Sequence, residues 1–211
     1  AIANIGDLDG NGVNDLAVGA VTTDGSTDRG AVHIIFLNSD GTLTKQSVVI
    51  NDSTTNGPDL EDSDYFGAGV EKIGDLDGNG VNDLAVGAEF DDGAGTDRGA
   101  LHIIFLNSDG TLTKQSVEIN DSTTDGPTLS DDDRFGSSVA DIGDLDGNGV
   151  NDLAVGAYLD DGGGSNRGAV HIIFMDENTK STVTITESVS LTDTISKTAG
   201  VNLSESVSLT D

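Results

Sequence analysis

The sequence is built from near-identical repeats, and this periodicity limits the fold more than any other feature. The sixteen-residue segment IGDLDGNGVNDLAVGA occurs three times without a change. The copies begin at Ile5, Ile73 and Ile142, so successive repeats start 68 and 69 residues apart. Repeats of this length are supersecondary units that bury their apolar residues by stacking on their neighbours. The chain is therefore expected to be an array of small, similar units.

Each repeat carries the pattern of four short β-strands. In the second copy the strands are predicted at Phe66–Ile73, Leu84–Ala88, Gly99–Leu106 and Leu112–Ile119, with Gly- and Asp-rich turns between them. The 29 glycines and the aromatic content of 4% favour tight turns over a bulky helical core. In the third copy the fourth strand is predicted at 182–186. Four antiparallel strands at a constant period predict an all-β fold of β-propeller-like blades.

The chain divides into a repeat region and a tail. Residues 1–186 are predicted to form three four-stranded antiparallel sheets, at about 1–52, 66–121 and 135–186, and residues 187–211 a Ser/Thr-rich tail. The heptapeptide ESVSLTD occurs twice in that tail, and its alternation of apolar and hydroxyl side chains is typical of extended β structure. A stalk or inter-subunit strand and a plain linker are both compatible with this composition.

The charge and composition of the chain exclude several classes of partner and chemistry. The formal net charge is −29 and the pI is near 4.1, so nucleic acids and anionic membrane surfaces would be repelled. No uncharged apolar run approaches the roughly 20 residues that a membrane-spanning helix needs. The chain has no Cys, which excludes thiol nucleophiles and cysteine-ligated zinc. No nucleophile–base pair or phosphate-binding loop is evident, so the chain is not expected to be an enzyme.

The invariant segment contains an acidic loop that suits a hard cation. In the loop DLDGNGVND, oxygen-bearing side chains occupy positions 1, 3, 5 and 9, and the backbone carbonyl at position 7 is free to point inward. Such alternate oxygens can converge on Ca²⁺, which accepts about six to eight of them with loose geometry, and the loop has no His, Cys or Met for a softer metal. The predicted ligands of three structural Ca²⁺ sites are Asp7, Asp9, Asn11, Val13 and Asp15; Asp75, Asp77, Asn79, Val81 and Asp83; and Asp144, Asp146, Asn148, Val150 and Asp152.

An EF-hand and a solvated turn are the alternatives for this loop. An EF-hand needs a bidentate Glu at position 12, where the copies have Val18, Val86 and Val155, and it needs flanking helices where strands are predicted. Asp, Asn and Gly are also ordinary turn formers. Three clustered carboxylates in each of three copies favour a cation, because without one the carboxylates would repel each other.

The order of these motifs resembles the FG-GAP repeat family, which is known from the β-propeller of integrin α subunits and from prokaryotic surface proteins. The Phe-Gly pair stands at Phe66-Gly67 and Phe135-Gly136, and each invariant segment ends in Val-Gly-Ala, with the terminal Pro of the family motif replaced. The resemblance covers roughly residues 1–186 and implies propeller blades with a calcium loop between the two motifs. The first copy lacks Phe-Gly, and three blades are fewer than the about four to eight that close a propeller.

Two further sets of polar residues recur at equivalent positions. His33, His102 and His171 share one strand position, where a structural or surface role is favoured over a metal-binding ladder. The acidic run Asp59–Asp64 and its counterpart Asp131–Asp133 favour a solvated loop over a second cation site.

Arginines precede Gly-Ala at the start of the third strand of each copy. Arg29, Arg98 and Arg167 are expected to form ion pairs with neighbouring aspartates such as Asp28 or Asp97, and a role in ligand binding is the less favoured alternative.

Three Asn-x-Ser sequons are candidate glycosylation sites, at Asn51, Asn120 and Asn202. The first two fall at the same position of the repeat, directly after the fourth strand.

These features together predict a calcium-stabilised, extracellular or cell-surface protein with a structural or adhesive role. The strand-like tail could add to the sheet of a neighbouring subunit and extend a filament head to tail, or the partners could be other surface proteins or glycans. A glycan- or protein-recognition propeller module and an accessory domain of a secreted enzyme are the alternatives.

Overall fold

In the computed structural model, residues 1–22, 27–93 and 95–176 are described, and all regular secondary structure within them is β-strand. The strands are β1 (Ile2–Gly6), β2 (Asp15–Ala20), β3 (Ala31–Ile35), β4 (Val48–Ile50), β5 (Phe66–Gly74), β6 (Asp83–Ala88), β7 (Ala100–Ile104), β8 (Val117–Ile119), β9 (Phe135–Asp141), β10 (Leu153–Ala157) and β11 (Ala169–Ile173). These ranges contain no apolar helix of membrane-spanning length. The strand predicted at 182–186, the tail and Asn202 lie outside the described residues.

The strands form three antiparallel sheets, one for each repeat. Their orders are β1-β2-β3-β4, β5-β6-β7-β8 and β9-β10-β11. The second and third strands keep one register in all three sheets, so that Val18, Val86 and Val155 each lie opposite the histidine of the next strand. The prediction of an all-β fold with blade-like antiparallel sheets is confirmed.

The fourth strand of the second sheet is shorter than the sequence pattern predicts. It was expected from Leu112 to Ile119, whereas β8 contains only Val117–Ile119, and Leu112 forms an isolated bridge to Leu106. The segment between them bonds to the preceding repeat: the Ser116 amide donates to the Asn56 carbonyl at 3.0 Å. A hydrogen bond to another repeat replaces the ladder bond that the alternating pattern implied.

The apolar core lies between successive sheets. Phe66 opens the second sheet, yet it is fully buried in one cluster with Val32 and Ile34 of the first. Phe135 opens the third sheet and is buried in a cluster with Leu101 and other residues of the second. Burying one such side chain contributes about 2–3 kcal/mol, so each Phe fastens its own blade to the one before it.

Glycine pairs allow the backbones of successive sheets to touch. A Cβ atom placed on Gly19 would lie 2.0 Å from the carbonyl oxygen of Gly67, and one on Gly87 would lie 1.8 Å from that of Gly136. Gly67 and Gly136 also have positive φ values of 101° and 90°, which side-chain-bearing residues rarely adopt. The Val-Gly-Ala and Phe-Gly motifs thus meet each other across the blade boundary.

Candidate metal centres

Each repeat brings three aspartates to one point beside the start of its second strand. One carboxylate oxygen from each member lies within 4.8 Å of the others. The first two aspartates lie in the loop after the first strand, and the third lies at the beginning of the second strand. The clusters are Asp7, Asp9 and Asp15; Asp75, Asp77 and Asp83; and Asp144, Asp146 and Asp152.

Backbone amides of the loop orient the first aspartate of each cluster. Asp75 accepts hydrogen bonds from the amides of Gly78, Asn79 and Gly80, at 2.8, 3.0 and 2.7 Å. The equivalent bonds at Asp144, led by the one from the Gly149 amide, lower the pKa of that carboxyl. The loop therefore folds around its first carboxylate, and in the third repeat its amides favour the ionised form of Asp144.

The third aspartate joins the loop to the end of the third strand. Buried Asp83 accepts a hydrogen bond of 2.8 Å from the Leu76 amide and one of 2.9 Å from the Leu106 amide. Burial raises the pKa of Asp83 to about 6, and the negative charges of Asp77 and Asp75 add to that rise. A bound cation would offset both effects, because it favours the ionised form.

The asparagine side chain at position 5 of each loop forms hydrogen bonds both within the loop and to the backbone that follows the third strand. Asn79 accepts a hydrogen bond from the Val81 amide at 2.7 Å and donates one of 2.7 Å to the Leu106 carbonyl. Asn11 and Asn148 make the same pair of bonds in their repeats. The roles of these Asn side chains and of the Val13, Val81 and Val150 carbonyls as cation ligands stay predictions.

A threonine contact to the second aspartate was not anticipated from the sequence. Thr113 donates a hydrogen bond of 2.6 Å to Asp77, and Thr44 donates one of 2.9 Å to Asp9. The signal was present, because both threonines occupy the same position of the second repeated string, LNSDGTLTKQSV. The sequence does not reveal the pairing, because the two threonines lie 36 and 35 residues from their partners.

The donor set of each cluster fits a hard divalent cation. None of the nine aspartates forms an ion pair with Lys, Arg or His of the described residues. Three uncompensated carboxylates at such short separations repel one another. Oxygen-only donors suit Ca²⁺ better than a softer metal.

The arginines before Gly-Ala pair with aspartates that are distant in sequence. Arg98 forms ion pairs with Asp121 and, at 2.9 Å, with Asp131. Arg29 pairs with Asp52 at 2.8 Å and Asp62 at 2.9 Å in the same manner.

The expectation that Arg98 pairs with its neighbour Asp97 was wrong, because Asp97 lies 2.9 Å from Arg134 instead. Each of the two paired arginines joins its own blade to the segment that leads into the next one.

Two of the three histidines pack against the phenylalanine of their own sheet. His102 packs edge-on against Phe66 with ring centroids 5.5 Å apart, and His171 packs against Phe135 at 5.4 Å. His171 Nε2 also lies 3.1 Å from an oxygen of Asp160. These contacts agree with the structural role that the sequence favoured.

The acidic run before Phe66 has both a solvated part and a buried part. Asp59, Glu61 and Asp62 are exposed, whereas Asp64 is buried and accepts a hydrogen bond of 2.6 Å from the Glu61 amide. Burial raises the pKa of Asp64 to about 7, and the charge of Asp91 adds to the rise.

The first two sequons differ in accessibility. Asn51 is half-buried and accepts bonds from the amide and hydroxyl of Ser53. Asn120 is buried, and its side-chain amide donates to Glu118. Glycosylation at either position stays a prediction.

Comparison with known proteins agrees with the motifs and the fold. A family model described as FG-GAP repeat matches residues 135–173. Integrin alpha-PS5 of Drosophila melanogaster is 35% identical over 72% of this chain, integrin alpha-5 of Xenopus laevis 31% over 72%, and integrin alpha-IIb of Homo sapiens 33% over 78%. The aligned parts cover only 14%, 14% and 15% of those relatives. The chain belongs to the FG-GAP repeat family.

Proposed function

We propose that this chain is a calcium-stabilised module of an extracellular surface protein, with a structural or adhesive role. The observation that carries the proposal is the convergence of three aspartate carboxylates in every repeat, within 4.8 Å and without a basic partner among the described residues. The similarity to integrin α subunits supports the extracellular location and the adhesive role. The module is not an enzyme.

The aspartates would hold calcium where three parts of a blade meet. Asp83 already bonds the loop through Leu76 and the end of the third strand through Leu106. A cation shared by Asp75, Asp77 and Asp83 would lock these segments together and relieve the repulsion among the carboxylates. Three Ca²⁺ ions would change the formal charge of the chain from −29 to −23.

Isothermal titration of the chelator-treated chain with Ca²⁺ tests this role. We expect three binding sites, with affinities of about 10⁻⁴–10⁻³ M as in other extracellular modules. Asp77→Asn should remove one site. Asp125→Asn is the matched control, because it makes the same charge change at an exposed position where the first repeat already has Asn56. An absence of binding, or an equal loss in both variants, would contradict the proposal.

We further propose that copies of the chain associate through the tail. In the first two sheets β4 and β8 cover the outer edges of β3 and β7. We infer that the equivalent position beside β11 is completed by residues 183–211 of a neighbouring copy, in place of the chain's own strand predicted at 182–186, because a sheet edge accepts an extended strand and these residues have the alternating pattern of one. Head-to-tail addition of this kind gives a filament unless the rotation closes a ring.

Negative-stain electron microscopy in millimolar Ca²⁺, repeated after chelation, tests the assembly. We expect the wild-type chain to form fibres in Ca²⁺ and to lose them on chelation. The Val189→Pro variant should form no fibres under either condition. Discrete particles under all conditions would contradict self-assembly and leave other surface proteins or glycans as the partners.

A further inference from the structure

A cavity lined by carboxylates lies beside the second sheet, where the segment that leads out of the first blade reaches it. We propose that this cavity binds one divalent transition-metal ion such as Zn²⁺, with ligands from Asp64, Asp91, His102 and Glu118. None of these four residues belongs to the aspartate clusters of the calcium loops, so the proposal is independent of calcium binding.

Three parts of the chain meet around this cavity, which has a volume of about 230 Å³. They are the segment before β5, the turn after β6 and the end of β8. Six carboxylates line the cavity, and none of them forms an ion pair with Lys or Arg of the described residues. Such an uncompensated negative charge attracts cations. The six are Asp59, Glu61, Asp64, Asp91, Asp92 and Glu118.

A buried histidine beside the carboxylates points to a metal ligand rather than to a solvated loop. His102 is 1% exposed, and its Nε2 atom has no hydrogen-bond partner among the described residues. This atom lies 3.7 Å from Oδ2 of Asp91, which is too long for a hydrogen bond. Buried polar atoms are rarely left unpaired, because they lose their hydrogen bonds to water. A cation between Nε2 and Asp91 would give this nitrogen a partner.

The separation of these two atoms suits two ligands of one ion. Zn²⁺ binds His nitrogen and carboxylate oxygen at about 2.0–2.2 Å, so two such atoms on one tetrahedral ion lie about 3.4 Å apart. The observed 3.7 Å between His102 Nε2 and the Asp91 oxygen is close to this value. The imidazole ring is held in this orientation, because it packs edge-on against Phe66. A nitrogen among the ligands favours a transition metal over Ca²⁺.

Backbone amides hold the two buried aspartates at the wall of the cavity. Asp64 accepts a hydrogen bond of 2.6 Å from the Glu61 amide. Asp91 accepts one of 2.8 Å from the Gly93 amide through Oδ1, while its Oδ2 atom faces His102. Burial raises the pKa of Asp64 to about 7, and the charge of Asp91 adds to the rise. A bound cation would offset both effects.

Glu118 brings a further carboxylate to the same face of the sheet. It lies directly opposite His102 in the register of β7 and β8. Side chains at such positions are neighbours, with Cβ atoms about 4.5–5.5 Å apart. Glu118 is exposed whereas His102 is buried, so an ion that both residues bind can be reached from the solvent.

The equivalent histidines of the other repeats lack this combination. His33 lies opposite Val49 rather than an acidic residue. His171 Nε2 already has a carboxylate partner at 3.1 Å. The segment before β9 has Thr128 and Ser130 where the segment before β5 has two acidic residues. We therefore expect one transition-metal site for each chain, in the second repeat.

Isothermal titration of the intact chain with Zn²⁺ tests the proposal, in a buffer with about 10 mM Ca²⁺ that competes for the oxygen-only loops. We expect one Zn²⁺ site, which His102→Gln and Glu118→Val each weaken by about tenfold or more. Glu118→Val should keep the fold, because the first repeat has Val49 at the equivalent position. His33→Gln is the matched control and should bind Zn²⁺ like wild type.

Nitrogen-15 NMR of the imidazole rings identifies the ligand in the wild-type chain. The chain has three histidines, so each signal can be assigned by substitution. Zn²⁺ should shift the Nε2 signal of His102 and leave those of His33 and His171 in place.

Three outcomes would overturn the proposal. The first is the absence of Zn²⁺ binding in the presence of Ca²⁺. The second is an affinity that neither His102→Gln nor Glu118→Val changes. The third is Zn²⁺ binding that leaves the His102 signal where it was, because the ion would then be held elsewhere on the acidic surface.

Discussion

Gly87 and Gly136 lie so close together that a Cβ atom on Gly87 would be 1.8 Å from the carbonyl oxygen of Gly136. Because backbone cannot move aside cheaply, Gly87→Ala should force the second and third blades apart. We expect a loss of about 2–4 kcal/mol in the free energy of unfolding, measured by urea denaturation. Gly163→Ala is the control, since its nearest neighbour would be the end of a flexible side chain at 4.0 Å. Equal stabilities of the two variants would show that the backbones do not touch.

Truncating the phenylalanine that begins a blade should lower the free energy of unfolding more than truncating a phenylalanine that is exposed on the surface. Phe66→Ala removes a fully buried ring from the boundary between two sheets and should lower the free energy of unfolding by about 3–5 kcal/mol. Phe174→Ala makes the same change at an exposed site and should cost less than about 1 kcal/mol. If Phe66→Ala were as mild as the control, the Phe-Gly motif would not fasten the blades.

Calcium should raise the stability of the chain, because the clustered carboxylates repel one another without it. Each site would add about 2.7 kcal/mol when free Ca²⁺ exceeds its dissociation constant by about 100-fold. The midpoint of thermal unfolding should therefore rise with Ca²⁺ concentration, and by a smaller amount in Asp77→Asn. Asp125→Asn should behave like wild type. A midpoint that does not respond to Ca²⁺ or to chelator would argue against structural calcium.

Buried Asp64 should make the protein less stable as the pH rises. Its pKa is about 7 in the folded chain, against an ordinary value of 3.8, so the folded state holds a proton that the unfolded state releases. The free energy of unfolding should thus fall between about pH 4 and pH 7 and level off above that. Asp64→Asn should remove this part of the slope, as measured by urea denaturation at several pH values. Parallel curves for Asp64→Asn and Asp125→Asn would show that folding does not raise the pKa of Asp64.

The all-β fold with one antiparallel sheet for each repeat and the clustering of the loop aspartates could be predicted from the sequence. The loop carboxylates converge through a turn of nine residues, from Asp75 to Asp83, and the glycines within it determine how the backbone turns. Such local geometry depends on neighbouring residues alone, so an unchanged copy in each repeat predicts the same cluster three times.

Contacts between distant segments were decided only by the tertiary structure. The bond from Thr113 to Asp77, the ion pair of Arg98 with Asp131 and the shortening of β8 all depend on which segments lie beside each other after the sheets stack. The alternating pattern of a strand specifies its own two faces but not its neighbours. For that reason the sequence alone determined the blades, and the stacking of the sheets decided what each blade contacts.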